Sequence, residues 1–200
     1  MPSSQPRPHV AGPDHRGRLL AGRYLLERVV GLGGTATVYA ALDRRLRRRV
    51  ALKVIHPEHA RGDEQRRRIR QEARMVGLLD HPHVLPLLDY GEEALADGEL
   101  LAFLVMPLLD GISLRELVLG GAVAWPRALA LVRQLLAGVA AIHAAGALHR
   151  DLKAGNCILT QRSGGDHLWI VDFGLAKARR PGLISLAPRS SAGVLIGTLP

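Results

Sequence analysis

The sequence predicts an α+β chain in two parts: a small antiparallel sheet of five strands with one helix over residues 23–109, then a partial, mainly helical part over residues 110–200. Three observations carry this reading. Between Tyr24 and Leu109, short runs rich in Val, Leu and Ile alternate with Gly and charged turns, as hairpin-linked strands do. Inside that region, Ile69, Ala73, Val76 and Leu79 recur at helical spacing. After Asp110-Gly111 the pattern changes to a capped helix start and a long apolar helix.

The elements follow in order. Residues 1–22 are rich in Pro, Gly, Ser and Arg without periodicity, so they are read as a flexible leader with no apolar stretch of the kind a secretory signal needs. "YLLERVVGLGG", "TVYAALD" and "VALKVI" form a three-stranded meander whose second turn is basic. "GDEQRRRIRQEARMVGLL" is one amphipathic helix with Asp63 near its start. "HVLPLLDY" and "LLAFLVM" are two further strands separated by an acidic loop. Ser113 stands three residues before Glu116 as a capping box, and Pro126 lies in the first turn of "WPRALALVRQLLAGVAAIHAAG".

Composition excludes several classes. The chain has 200 residues and 48% apolar content, which is not a disordered composition. Its single Cys157 rules out an internal disulfide framework, and no Cys cluster or close His pair has zinc-like spacing, so a reducing, cytoplasmic compartment is expected. No membrane segment is expected either, because Leu100–Leu109 is short and contains Pro107, and the later apolar run is interrupted by Arg133 and His143. Net charge is +9, concentrated in "RRLRRR" at Arg44–Arg49 and "RRRIR" at Arg66–Arg70. Aromatic residues do not interleave with these runs, so they read as solvated surface and no nucleic-acid partner is expected.

Three stretches carry chemistry. "GLGGTATV", Gly31–Val38, has the small residues that let backbone N–H groups approach a polyphosphate, although a hairpin with no ligand has the same composition. The strand-like "TVYAALD" after it disfavours a dinucleotide fold, which needs a helix there. Lys53 stands in an otherwise apolar strand, where a lysine either points outward or finds an anion, and Glu72 on the following helix offers a partner. Of 27 Lys plus Arg only Lys53, Lys153 and Lys177 are lysine. "HRDLKAGN" matches H-R-D-L-x-x-x-N at every specified position, and "DFG" follows at Asp172–Gly174. Asp151, Asn156 and Asp172 supply the hard oxygen donors that Mg²⁺ prefers.

In order and spacing these segments resemble the eukaryotic-like protein kinases, most closely the bacterial Hanks-type Ser/Thr kinases, over residues 23–200. The resemblance implies a protein-kinase-like two-lobe fold and transfer of the γ-phosphoryl of ATP to a protein Ser/Thr hydroxyl. It implies that Gly31, Leu32, Gly33 and Gly34 cover the phosphates, that Lys53 bonds them while paired with Glu72, and that Asn156 and Asp172 hold Mg²⁺, with Mn²⁺ as a substitute. Asp151 would take the substrate proton and Lys153 would sit near the transferred group. Val38, Ala51 and Ile158 would enclose adenine, with Met106 as gatekeeper and Pro107 to Leu109 as hinge. ATP, a Ser/Thr protein substrate and a homodimer for autophosphorylation are the implied partners.

Two departures stand out. Ala36 replaces the third glycine of the Gly-rich loop, and no A-P-E follows Gly197-Thr198, so the chain reads as an incomplete catalytic domain. That incompleteness makes an inactive nucleotide-binding or interaction module the alternative. Ser185, Ser190 and Ser191 are candidate phosphorylation sites, with Arg150 as the cation that would receive the phosphate.

Overall fold

The computed structural model describes residues 14–95 and 100–172. The chain divides into two compact units, one built from residues up to Arg66 and from Asp89–Leu108, the other from Arg67–Leu88 and from Leu109 onward.

The first unit is a six-stranded antiparallel sheet in the order β1-β2-β3-β4-β6-β5. Its strands are β1 (Leu19–Leu20), β2 (Tyr24–Leu32), β3 (Ala36–Asp43), β4 (Arg48–Ile55), β5 (Asp89–Ala94) and β6 (Leu100–Pro107). The expected leader of residues 1–22 is corrected at its end: Leu19 and Leu20 pair with Leu25 and Tyr24 because Leu20 is fully buried in the sheet's core. The fifth strand also lies elsewhere than expected. Pro86 interrupts "HVLPLLDY", and the acidic stretch Asp89–Ala94 forms the edge strand instead.

Period-2 alternation gives this sheet two different faces. Val50, Leu52 and Val54 of β4 join Tyr39, Ala41, Phe103, Val105, Tyr24 and Leu26 in a closed apolar core. Tyr24 and Phe103 meet there edge-on with ring centroids 6.0 Å apart. The intervening residues, Ala51 and Lys53, occupy the opposite face.

The second unit contains most of α1 (Asp63–Gly77), then α2 (Leu114–Leu119), α3 (Trp125–Ala144) and a three-stranded antiparallel sheet. That sheet is formed by β7 (Ile112–Ser113), β8 (Cys157–Arg162) and β9 (Gly165–Ile170). Residues 67–88 were expected with the first part but group with the second. Backbone pairing explains this: Leu85 N–H donates to Ile170 O at 3.0 Å, and Ile170 N–H donates to His83 O at 2.8 Å. The expected capping box is present, with Glu116 N–H donating to Ser113 Oγ at 3.1 Å and Ser113 N–H donating to Glu116 Oε2 at 2.7 Å. Gly111 runs against the β8 backbone so closely that a β-carbon there would collide with the carbonyl oxygen of Leu159.

By length and composition α3 is apolar enough to cross a bilayer. It buries Leu131, Gly138 and Ile142, with Gly138 against Ile170 of β9, while Trp125, Val132 and Leu136 are exposed.

Candidate active site

In the first unit, cross-strand register places the expected nucleotide residues on one face of the sheet. Val38 is opposite Lys53 and Gly31, and Lys53 is opposite Leu104. Ala51 lies between Ala40 and Met106 one pleat away. Directly opposed residues share a face, as do residues two apart on one strand, so Val38, Ala51, Lys53 and Met106 project from the face away from the apolar core. Lys53 is buried. Pro107 ends β6, and Leu109 belongs to the second unit.

The Gly-rich turn joins β2 to β3. Leu32, Gly33 and Gly34 are exposed, and Gly33 N–H donates to Ala36 O at 3.0 Å to close the turn. Ala36 is buried as the first residue of β3, so its methyl enters the sheet's packing rather than crowding the exposed turn. Two histidines, not assigned a role from sequence, support this turn. His59 Nε2 donates to Gly34 O at 3.1 Å, His56 N–H donates to Thr35 O at 3.0 Å, and His56 Nε2 lies 2.9 Å from Thr37 Oγ1. Their only signal in the sequence is their position directly after β4, in "IHPEH".

In the second unit the H-R-D-L-K stretch gathers several functional groups around one carboxylate. Asp151 is almost buried, and its Oδ2 accepts from Lys153 Nζ at 3.0 Å and from Asn156 Nδ2 at 3.1 Å. Asn156 Nδ2 also donates to the Asp151 carbonyl at 2.8 Å. With its amide nitrogen committed to Asp151, Asn156 retains its side-chain oxygen for a cation. The oxygens of Asn156 and Asp172 form a hard donor set suited to Mg²⁺, so these residues fit such an ion.

His149 positions this loop. Its Nε2 donates to Val171 O at 3.0 Å while its Nδ1 accepts the Asp151 N–H at 3.4 Å, which selects the neutral Nε2–H tautomer. The same histidine thus ties the residue bearing the candidate base to the residue before Asp172. Arg150, between His149 and Asp151, adopts a left-handed backbone with φ of 61°, and Asp172 does likewise at 64°.

Glu72 accepts a hydrogen bond from Arg150 Nη1 at 3.1 Å. Burial pushes its carboxyl above the ordinary range, and the Arg150 guanidinium works against that shift. Ile158 lies on β8 opposite Trp169. Cys157 beside it is buried, and burial raises its thiol to about 11, which favours the protonated form. Phe173, Gly174, Ser185, Ser190, Ser191 and Thr198 lie outside the described residues.

Comparison with known proteins identifies the family. The family described as "Protein kinase domain" matches residues 24–185. Serine/threonine-protein kinase PknA of Mycobacterium tuberculosis is 37% identical over 183 residues, covering 91% of this chain and 41% of its own. Serine/threonine-protein kinase PknD of the same species is 40% identical over 179 residues, covering 88% of this chain and 25% of its own. The chain therefore spans well under half the length of these curated relatives. The crystal structure of the M. tuberculosis PknI kinase domain superposes with a TM-score of 0.66 at 31% identity, covering 80% of this chain and 62% of that one. With the two units, the order of motifs and these relatives in agreement, the chain belongs to the protein kinase domain family.

Proposed function

We propose that the protein is an ATP-dependent serine/threonine protein kinase, with Asp151 as the base that receives the proton of the acceptor hydroxyl. The observation that carries this reading is the hydrogen-bonded set of Asp151, Lys153 and Asn156 on a loop braced by His149. It joins a carboxylate, an ammonium and a side-chain amide at one point, which a structural loop does not require.

The chemistry follows from those groups. Asp151 draws the proton from a Ser or Thr Oγ as that oxygen forms a bond to the γ-phosphorus of ATP, and the bond from phosphorus to the β–γ bridging oxygen breaks to release ADP. Lys153 offsets negative charge on the transferred phosphoryl. Gly31, Leu32, Gly33 and Gly34 cover the phosphates with backbone N–H groups, and Lys53 bonds the phosphate oxygens, with Glu72 as its partner in the active arrangement. Val38, Ala51, Met106, Pro107, Leu109 and Ile158 receive the adenine. Asn156 and Asp172 hold Mg²⁺, which when bound neutralises charge on the phosphates.

ATP supply points to a cytoplasmic location, and a second copy of the protein is a natural first acceptor through autophosphorylation. Nothing in the site favours an inactive binding module, since base, cation and metal ligands are all retained.

The deciding experiment separates binding from transfer in the intact protein. Asp151→Asn should keep ATP affinity within a few-fold and lose phosphate transfer by about 10²-fold or more. Wild-type protein that binds ATP and transfers nothing would establish the binding module instead. Unimpaired transfer by Asp151→Asn would remove the assignment of this loop.

A further inference from the structure

The turn between β3 and β4 is a rigid cationic tip. Arg44, Arg45, Leu46, Arg47, Arg48 and Arg49 are all exposed. Arg49 pairs with Glu27 at 3.0 Å, whereas Arg44, Arg45, Arg47 and Arg48 have no carboxylate partner among the described residues. The nearest acid, Asp43, does not offset them. It is buried at the root of the turn, where its Oδ1 accepts the N–H groups of Arg45 at 3.0 Å and Leu46 at 3.1 Å. Its charge is matched by Arg23, which grips both of its oxygens at 2.9 and 2.7 Å and also reaches Asp89 at 3.4 Å.

The tip's geometry is fixed by those bonds and by Arg47, held at φ of 51°. The guanidiniums are therefore presented on a braced hairpin. Leu46, 53% exposed, stands among them without apolar cover.

We propose that this hairpin tip docks on a bilayer rich in acidic phospholipids, with Arg44, Arg45, Arg47 and Arg48 at the phosphate level and Leu46 entering the acyl boundary. A flat anionic surface suits both features at once: the arginines flanking Leu46 meet headgroups while the apolar side chain between them leaves water. Nucleic acid would suit the charge alone, because the tip has no aromatic side chain for stacking and exposes a leucine. Each arginine near such a surface multiplies partitioning by about fivefold, so four together give roughly several hundredfold.

The test is co-sedimentation of the intact protein with vesicles of phosphatidylcholine alone and of phosphatidylcholine mixed with phosphatidylglycerol, at low and high salt. Binding should require phosphatidylglycerol and weaken with salt. The variant R44Q/R45Q/R47Q/R48Q should lose about 100-fold or more, and R47Q/R48Q about 25-fold. Leu46→Ser should lose a few-fold while keeping the salt dependence. None of these positions supports the fold through an ion pair, and an unchanged thermal melting curve checks that directly. The proposal is overturned if the quadruple variant binds mixed vesicles like wild type, if phosphatidylcholine alone binds equally, or if duplex DNA is bound while vesicles are not. Because ATP binding is measured separately, loss of either result leaves the other standing.

Discussion

His83 and His167 each donate a hydrogen bond to the backbone of the other's segment. His83 Nδ1 donates to Leu168 O at 3.0 Å, His167 Nε2 donates to Pro82 O at 2.7 Å, and the two rings meet at a tilt of 35° with centroids 4.8 Å apart. His81 meets the His83 ring edge-on, and Trp169, tilted against His167, carries Arg162 over its ring at 5.0 Å. The clamp joins the segment after α1 to the β8–β9 hairpin within the second unit.

This clamp should make stability depend on pH. Burial lowers the His167 pKa below 6.5, the bond to Pro82 O pulls the other way, and Arg162 and His83 add to the lowering. The neighbouring Asp166 is engaged by Arg127 and Gln161. A histidine with a lowered folded-state pKa binds its proton less tightly in the fold than in the unfolded chain. Its stabilising contribution is therefore complete above pH 6.5 and declines as pH falls below that value towards the folded-state pKa. Thermal unfolding across this range should show the decline, and His167→Phe should flatten it. An equally steep decline in the variant would assign it to other groups.

Arg150→Ala should destabilise the second unit by about 1 kcal/mol, since it leaves a mostly buried Glu72 without its guanidinium partner. Arg150→Gly should fall short of that loss by roughly 0.5–1 kcal/mol, because glycine accepts the left-handed backbone at this position. In a Glu72→Gln background the Arg150→Ala change should cost much less. Denaturant unfolding of the wild type and the four variants gives the comparison, and equal losses for Ala and Gly would show that the backbone conformation carries no strain.

Gly138→Ala should lower the melting temperature although alanine is the better helix former by about 1 kcal/mol. The added methyl would lie 2.7 Å from Ile170 Cδ1 and 3.2 Å from His83 O, where α3 packs on β9. Overpacking of this kind costs about 1–3 kcal/mol. Ile170→Val removes the Cδ1 atom and should restore part of the loss in the double variant. A raised melting temperature for Gly138→Ala alone would mean that α3 shifts without cost.

Lys53→Met and Asp172→Asn should both reduce the upward shift in melting temperature produced by ATP with Mg²⁺, by different routes. Loss of Lys53 should weaken the response to nucleotide with or without the ion. Loss of the Asp172 charge should abolish the part that depends on Mg²⁺ and leave metal-free nucleotide binding nearly intact. Isothermal titration with and without Mg²⁺ separates the two, and identical behaviour of the variants would refute the division of roles.

Local chemistry alone determined β2, β3, β4 and β6, the helices, and those groups of the candidate site that lie close together in sequence. Alternation along "VALKVI" already separates Ala51 and Lys53 from the core-forming Val50, Leu52 and Val54, and "SLRE" contains its own helix start. Groups close in sequence, such as Asp151, Lys153 and Asn156, were legible for the same reason. Tertiary structure decided the rest. β5 is an edge strand of charged residues with no apolar alternation to read, and Pro86 breaks the run that looked more like a strand. The segment 67–88 joins the second unit through bonds to residues 168 and 170, and Glu72 finds Arg150 across 78 positions of sequence. Such pairings depend on which segments packing brings together, and a polar side chain carries no periodic signal of the partner it will meet.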